Sequence, residues 1–258
     1  METLFIGKNL LFLTEVESTN TYAMEMLRNV NIIEGTVIHT DNQTKGKGQR
    51  GASWISETGT NITASVILKP QFLNAEKSFY LSKIAALAVY DVLADILPQS
   101  QYGIKIKWPN DILVDKKKIA GILIENTYQN SSIPFSIIGI GINVNQTAFD
   151  ALGSLATSLK TLINKDVDRV YVLGVLCSKL EKWYFKLKET KFSEIDLAYY
   201  ERLFGLNQQL RFLNKDNHEF MAEIKDVNIN GKLGLLISGS EEITYFDIKE
   251  LIWLGLTL

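Results

Sequence analysis

The chain has 258 residues, 46% of them hydrophobic and 22% charged, which is an ordinary composition for a folded protein with a substantial core. Its 27 basic and 29 acidic residues give a formal net charge of -2, without the basic excess typical of nucleic-acid-binding proteins. One cysteine cannot form an internal disulfide, and with only two histidines beside it no cluster has the spacing of a zinc site. Cys177 follows an apolar pair, so we expect a buried structural thiol.

Neither an export signal nor a membrane span is indicated. The first 13 residues include Glu2 and Lys8 and lack a basic start followed by a cleavable apolar segment. The longest apolar stretch, residues 78–97, contains one lysine and two aspartates, charges that strongly disfavour a spanning helix. We therefore expect a cytoplasmic protein that does not associate with membranes.

Helix and strand patterns alternate over the first 205 residues. Polar residues 18–20 precede a short helix that they can cap, β-branched residues favour strands, and Pro98 ends a long helix. The predicted elements are, in chain order, a helix ending near residue 30, strands at 36–40 and 61–68, a helix at 76–97, a strand at 104–108, a hairpin of 112–114 and 119–125, a strand at 135–144, and helices at 168–189 and 193–204.

The pattern changes near residue 207 to short strands only. These strands are predicted at residues 209–213, 219–227, 233–237 and 243–246, with a turn at Asn230-Gly231. The sequence thus predicts an α/β (α+β) fold with two domains, a mixed-sheet domain over residues 1–205 and a small β-barrel over residues 206–258.

A glycine-rich loop at residues 46–51 (GKGQRG) matches the dinucleotide-binding pattern G-x-G-x-x-G. That pattern requires a helix directly after the loop, whereas here a strand is predicted at 61–68. Two interpretations stay open from the residues alone. The loop is either a basic anion-binding loop, with Lys47 and Arg50 and its backbone N–H groups facing the anion, or a surface hairpin without a ligand.

Residues 107–111 (KWPND) end a strand with a turn and place an amide beside a carboxylate. Asn110 and Asp111 could hold a ribose or an Mg²⁺ ion, or they could simply close the turn. Gly139 and Gly141 lie on one face of a buried strand and are followed by Asn143. Because glycine weakens a strand, this face is expected to receive a flat ligand or a closely packed chain.

The ordered set of these motifs resembles one family, the biotin protein ligases, over essentially the whole chain. The resemblance is carried by residues 18–20 (STN), 43–51 (QTKGKGQRG), Trp54, 107–111 (KWPND), 118–123 (KIAGIL) and 139–143 (GIGIN). It implies a catalytic domain of the biotin/lipoate ligase type followed by a small SH3-like barrel. It also implies the monofunctional type, since only 17 residues precede Ser18 and leave no space for a DNA-binding helix-turn-helix.

The resemblance also implies a role for each motif residue. The ureido head of biotin would be bound by Ser18, Thr19 and Gln43. The remaining biotin-binding residues would be Asn20, Gly46, Gly48, Trp54, Gly121, Leu123, Gly139 and Gly141. The nucleotide would be bound by Lys107, Trp108, Asn110, Asp111 and Asn143, with Asp111 a candidate Mg²⁺ ligand.

The implied reaction joins the biotin carboxylate to the α-phosphate of ATP, with Mg²⁺, and then passes the biotinyl group to a lysine. Lys118, Lys47 and Arg50 are the predicted catalytic cations, because two anions must approach each other. The loop departs from the family, which commonly has arginines at the positions of Lys47 and Gln49. A lysine cannot make the bidentate phosphate contact of arginine, and Arg50 could supply the second guanidinium.

The expected acceptor is a biotin carboxyl carrier protein of a biotin-dependent carboxylase. No nucleic-acid partner and no tightly bound prosthetic group are expected, and a homodimer is left open. Two alternatives to this function are a lipoate or octanoate ligase, which the same fold could support, and a non-catalytic module that senses biotin or a nucleotide. We also expect the loop over residues 44–54 to be mobile in the free protein and to become ordered around ligand.

Overall fold

The computed structural model describes residues 2–29, 31–149 and 155–254, without the side chains of Asn29 and Arg50. The strands of the first sheet are β1 (Leu10–Val16), β2 (Val37–Gln43), β3 (Ile62–Leu68), β4 (Ile104–Lys107), β5 (Asp111–Val114), β6 (Lys117–Asn126) and β7 (Ser136–Ile142). The helices are α1 (Thr19–Asn29), α2 (Phe79–Ile96), α3 (Leu159–Ile163), α4 (Arg169–Lys188) and α5 (Phe192–Arg202). The second sheet consists of β8 (Gln209–Asn214), β9 (Glu219–Val227), β10 (Leu233–Ile237), β11 (Ile243–Phe246) and β12 (Leu251–Trp253).

The first sheet has seven strands in the order β1-β2-β3-β7-β6-β5-β4. Among these described strands only the β1–β2 pair is parallel, and the other pairs are antiparallel. The tight turn between β5 and β6 has positive φ at Asp115 and Lys116, as a two-residue hairpin turn requires. The mixed sheet agrees with the predicted fold class.

Helices cover both faces of this sheet, because the buried strands alternate between two apolar clusters. Ile67 of β3 packs with Ala23 of α1, while its neighbour Val66 belongs to the cluster formed with α2 and α4. Successive residues of a strand point to opposite faces, so α1 lies on one side and α2 and α4 lie on the other. Cys177 of α4 is 1% exposed, and burial raises the pKa of its thiol to about 12, as expected for a structural cysteine.

The second sheet is antiparallel, with the order β11-β10-β9-β8-β12, and is consistent with the predicted small β domain. Its inner face holds stacked aromatic rings, including Phe212 and Phe220. It is tied to the first part of the chain by two hydrogen bonds. The indole of Trp108, which follows β4, donates to the Gly231 carbonyl at 2.8 Å, and the hydroxyl of Tyr200 in α5 donates to the Val227 carbonyl at 2.8 Å. The division at residue 205 stays a prediction.

The sequence patterns missed two strands. β1 was read only as part of an apolar N-terminal stretch, and β12 has three residues, too few for a recognisable pattern. The end of the strand predicted at 104–108 was also misplaced, because β4 stops at Lys107 before the turn containing Pro109. Over the described residues, no helix combines the length and the hydropathy needed to cross a bilayer.

Candidate functional site

A cleft of about 450 Å³ opens between one face of the first sheet, the 44–54 loop and the second sheet. Most of the residues predicted for the site line it. They are Ser18, Thr19, Asn20, Gln43, Lys47, Gly48, Trp54, Lys107, Trp108, Asn110, Asp111, Lys118, Gly121, Leu123, Gly139, Gly141 and Asn143. Gly46 lies just outside, against Trp54 and Gln43. The predicted catalytic side chain of Arg50 lies outside what the structure describes.

One end of the cleft is polar and uncharged, and it is built at the start of α1. The first backbone N–H groups of a helix have no partner within the helix. Here the N–H of Thr19 donates to Oε1 of Gln43 at 2.7 Å, and the Thr19 hydroxyl lies 3.1 Å from the same oxygen. Because Oε1 of Gln43 is used in this way, its Nε2 amino group is the part of the side chain that can donate to a ligand.

The glycine-bearing face of the sheet is covered by the protein's own side chains. A Cβ added to Gly141 would overlap the indole of Trp54, and a Cβ added to Gly139 would overlap the amide of Asn20. A Cβ at Gly121 would also lie 3.1 Å from the Trp54 ring. Of the two interpretations of these glycines, this structure favours close chain packing, with Trp54 forming the surface that a ligand would meet.

The 44–54 loop folds back on itself as a small hairpin. The Gly48 N–H donates to the Ala52 carbonyl at 2.7 Å, and the Trp54 N–H donates to the Gly46 carbonyl at 2.9 Å. Only a three-residue 3₁₀ helix (Gln49–Gly51) interrupts it, and β3 follows rather than an α-helix. The geometry of a dinucleotide-binding fingerprint is therefore absent from this segment, as predicted.

The other end of the cleft is cationic. Lys107 is only 7% exposed; burial lowers the pKa of its ammonium and nearby Lys118 lowers it further, while Asp111 opposes the shift. Lys118, one of the predicted catalytic cations, lines this part of the cleft. Its side chain is 19% exposed, and its Nζ lies 2.7 Å from Oδ1 of Asp111 because β5 and β6 pair side by side.

Three of the residues predicted to bind nucleotide each donate one side-chain N–H to a carbonyl of the protein. Asn110 donates to the Ile122 carbonyl at 3.0 Å, and Asn143 donates to the Thr157 carbonyl at 3.0 Å. Trp108 is 1% exposed and donates to Gly231, as described above. These bonds fix the backbone around the cationic end, and each asparagine keeps an amide oxygen and a second N–H that these bonds do not use.

A metal ion would find few protein ligands here. No group of three His, Cys, Asp or Glu residues suited to a metal occurs in the described parts of the chain. Asp111 is the one carboxylate among the described residues lining the cleft, and it already contacts Lys118. This donor set fits Mg²⁺ that arrives with phosphate oxygens and water as its main ligands, and it does not fit an all-protein site.

Residues of the second sheet also line the cleft, and sequence reasoning missed them. Ile248, Leu251, Ile252 and Trp253 form this wall, and the Lys107 Nζ lies 5.6 Å from the Trp253 ring centroid. The only signal in the sequence was an isolated tryptophan near the C-terminus, which does not reveal what it faces. The cationic end is therefore shared between the two sheets.

Comparisons with known proteins agree with this geometry. Residues 12–143 match the model of the biotin/lipoate A/B protein ligase family. A Bacillus spizizenii protein named bifunctional ligase/repressor BirA is 35% identical over 221 residues, which cover 83% of this chain and 66%, about two thirds, of that protein. A Mycobacterium tuberculosis biotin--[acetyl-CoA-carboxylase] ligase is 28% identical, covering 86% of this chain and 81% of that protein.

The comparison with solved structures gives the same family. The structure of a biotin protein ligase from Aquifex aeolicus in complex with biotin and ATP superposes with a TM-score of 0.77 at 29% identity, covering 95% of this chain and 98% of that one. The family match spans just over half of the chain and contains most of the residues that line the cleft. The chain therefore belongs to the biotin/lipoate A/B protein ligase family.

Proposed function

We propose that this protein is an ATP-dependent biotin protein ligase, which activates biotin as biotinyl-5'-AMP and transfers the biotinyl group to a lysine of an acceptor protein. One observation carries the proposal. A single cleft joins a neutral hydrogen-bonding end at Thr19 and Gln43 to a cationic end at Lys107 and Lys118. Biotin and ATP placed end to end present groups in the same order: the uncharged ureido ring of biotin, its carboxylate tail, and then the triphosphate of ATP.

The neutral end would bind the ureido head. A buried polar group without a partner costs about 1 to 3 kcal/mol, so an uncharged cyclic urea needs both donors and acceptors around it. Gln43 offers an amino group and Thr19 a hydroxyl, while Trp54 and Leu123 supply apolar surface for the rings and tail. Ser18, which is 2% exposed, lies at the same end.

The cationic end would bring together the biotin carboxylate and the α-phosphate of ATP, which repel each other in solution. Lys118 and Lys107 carry charge into a place that is largely shielded from water, where it stabilises the negative charge that develops as the new bond forms. Mg²⁺ bound to the phosphates would neutralise further charge, and Asp111 is the side chain that could reach it. Lys47 approaches from the loop.

In the second step the acceptor's lysine amine attacks the acyl carbonyl, and AMP leaves. This step requires no nucleophilic side chain of the enzyme. The mixed anhydride must be protected from water until then, and the 44–54 loop, several residues of which line the cleft, would cover it. Ordering of this loop on ligand binding stays a prediction, which slower amide hydrogen exchange in the presence of ligand would support.

The acceptor that we propose is a biotin carboxyl carrier protein or domain of a biotin-dependent carboxylase. Relatives from Mycobacterium tuberculosis and Paracoccus denitrificans that are named biotin--[acetyl-CoA-carboxylase] ligases support this choice. A cytoplasmic location, the absence of a nucleic-acid partner, a homodimer and the two-domain division at residue 205 remain proposals.

Mass spectrometry tests the proposed function. The protein is incubated with ATP, Mg²⁺, biotin and a biotin carrier domain, and the mass of the carrier is measured. We expect the carrier to gain one biotinyl group, and only when ATP and biotin are both present. A gain with lipoate or octanoate in place of biotin would instead support the alternative ligase, and no gain with any of the three acids would overturn the proposal.

A further inference from the structure

A buried serine beneath the neutral end of the cleft has no role in the mechanism above. Ser65 of β3 is completely buried, and its Oγ lies 2.7 Å from the Thr19 hydroxyl and 2.6 Å from Oδ1 of Asn20. It does not line the cleft itself. The sequence carries a weak signal for it, since Asn61, Thr63 and Ser65 alternate with apolar residues in an otherwise apolar strand.

The orientation of the Asn20 amide is fixed by two acceptors. Its Nδ2 lies 3.2 Å from the Leu123 carbonyl oxygen and 2.8 Å from Oε2 of Glu125. Both partners only accept hydrogen bonds, so the amino group must face them and the amide oxygen must face Ser65. Both N–H donors of the Asn20 side chain are therefore used within the protein.

The direction of the next two bonds follows from this orientation. A serine hydroxyl has one proton, and Oδ1 of Asn20 can only accept, so Ser65 donates to Asn20. Toward Thr19, Ser65 can then only accept a hydrogen bond. The Thr19 proton can go to Ser65 at 2.7 Å or to Oε1 of Gln43 at 3.1 Å, and both acceptors belong to the protein.

We propose that Glu125, Asn20 and Ser65 are positioning residues that make the Thr19 hydroxyl an acceptor toward the cleft, selecting a ligand that presents an N–H group there. The proposal rests on the proposed function, because the N–H group is that of the ureido ring of biotin. It gives Asn20 a different role from the direct biotin contact implied by the family resemblance. A ring oxygen or a methylene at that place in the ligand would lose the bond.

Biotin binding without ATP, measured by calorimetry, tests this chain of bonds. Ser65→Ala removes the link between Asn20 and Thr19, and we expect the Kd for biotin to rise about 10-fold, because the Thr19 hydroxyl loses the closer of the two acceptors that hold it. The KM for ATP should not change. Ser136→Ala is the matched control, since Ser136 is equally buried in the same sheet and its Oγ has no hydrogen-bond partner among the described residues.

A double variant and two substitutions of Glu125 separate positioning from a general structural effect. In a Thr19→Val background, Ser65→Ala should cause little additional loss, because it acts through the hydroxyl that is already gone. Glu125→Leu should weaken biotin binding about 3-fold and Glu125→Gln should recover most of that loss, because a glutamine oxygen can still accept from Asn20. Glu125 is partly exposed, so its variants test the series of hydrogen bonds from Glu125 to Thr19 even if Ser65→Ala does not fold.

The outcomes are distinguishable. Suppose that the wild-type protein binds biotin. If Ser65→Ala then has the same Kd for biotin as Ser136→Ala, or if both Glu125 variants have the wild-type Kd, the positioning role is wrong while the proposed function stands. An equal effect of Ser65→Ala with and without the Thr19→Val substitution would also contradict it. A wild-type protein that binds no biotin would overturn the proposed function, and this inference with it.

Discussion

The two ends of the cleft are prepared for their ligands in different ways. At the neutral end, the side chains of Thr19, Asn20 and Ser65 are joined by hydrogen bonds in which every side-chain proton has an acceptor within the protein. At the cationic end, Lys107 is held where burial lowers the pKa of its ammonium, and Lys118 is held against one carboxylate. The neutral end uses the side-chain protons of Thr19, Asn20 and Ser65 within the protein, whereas the cationic end holds a buried charge that an anion would stabilise.

The difference follows from what each end must recognise. A urea is distinguished from similar rings by the direction of its hydrogen bonds, so it is recognised by donors and acceptors that are held in fixed orientations. A phosphate is distinguished by charge, and a desolvated cation interacts with it more strongly than a hydrated one. Substitutions at the cationic end should therefore affect the chemical step most, whereas substitutions at the neutral end should affect biotin affinity.

The largest expected effect is at Lys118. Lys118→Ala should slow biotinyl-adenylate formation about 10² to 10³-fold in single-turnover assays, because it removes one preorganised charge beside the reacting groups. The structure adds a stability cost of about 1 to 3 kcal/mol, since Asp111 would lose its partner. Lys117→Ala is the control, being an exposed lysine next to it in β6. A normal rate for Lys118→Ala, or a slow rate for Lys117→Ala, would contradict the assignment.

Gly141→Ala should disturb the apolar surface between the two ends. The added Cβ would overlap the Trp54 indole, which must move off β7, and overpacking of this kind costs about 1 to 3 kcal/mol. We expect biotin affinity to fall about 10-fold or more, measured by calorimetry. Gly103→Ala is the control, because its Cβ would meet only Asp115 Oδ1, at 3.3 Å. Unchanged affinity in Gly141→Ala would mean that Trp54 is not part of the biotin surface.

The pH dependence of ATP binding should reveal the desolvated lysine. Burial lowers the pKa of Lys107 in the free protein, and bound phosphates would raise it again, so binding takes up a proton at alkaline pH. ATP affinity should fall as the pH rises from about 7 toward about 10, below the ordinary lysine pKa. Lys107→Arg should flatten this profile, since arginine stays charged. Identical profiles for the two proteins would exclude Lys107 as the titrating group.

The smallest expected effect concerns the contact between the two sheets. Trp108→Phe removes the hydrogen bond to Gly231, and Trp183→Phe removes a comparable indole bond, from Nε1 to Asp91 at 2.9 Å, away from the cleft. Each should lower the free energy of unfolding by about 1 to 3 kcal/mol. Only Trp108→Phe should also slow adenylation, by a few-fold, because it loosens the wall at the cationic end. Equal adenylation rates in the two variants would show that this wall does not contribute to adenylation.

Local patterns predicted the parts of the fold that depend on local physics. The loop at residues 46–51 was predicted not to be a dinucleotide-binding fingerprint, because the residues after it have the pattern of a strand. The structure has β3 there. The hairpin of β5 and β6 was read from its polar turn. β1 could not be predicted in the same way, since LLFLTEV has no period of two and its edge position depends on pairing with β2.

The site was predicted as a set of residues but not as an arrangement. The motifs identified most of the residues that line the cleft, whereas the contacts between them join distant segments. Trp54 over Gly141 and Lys118 against Asp111 depend on strand register and on rotamers. The wall formed by Trp253 depends on how the second sheet packs, and no spacing in the sequence encodes that.

In the function that we propose, one cleft holds biotin and ATP together for the first reaction. The exchange of labelled pyrophosphate into ATP is the direct test, since it requires reversible formation of the acyl adenylate and no acceptor protein. We predict exchange that depends on biotin, is absent with lipoate or octanoate, and is lost in Lys118→Ala but kept in Lys117→Ala. Exchange without biotin, exchange supported equally by lipoate, or an unaffected Lys118→Ala would contradict the account.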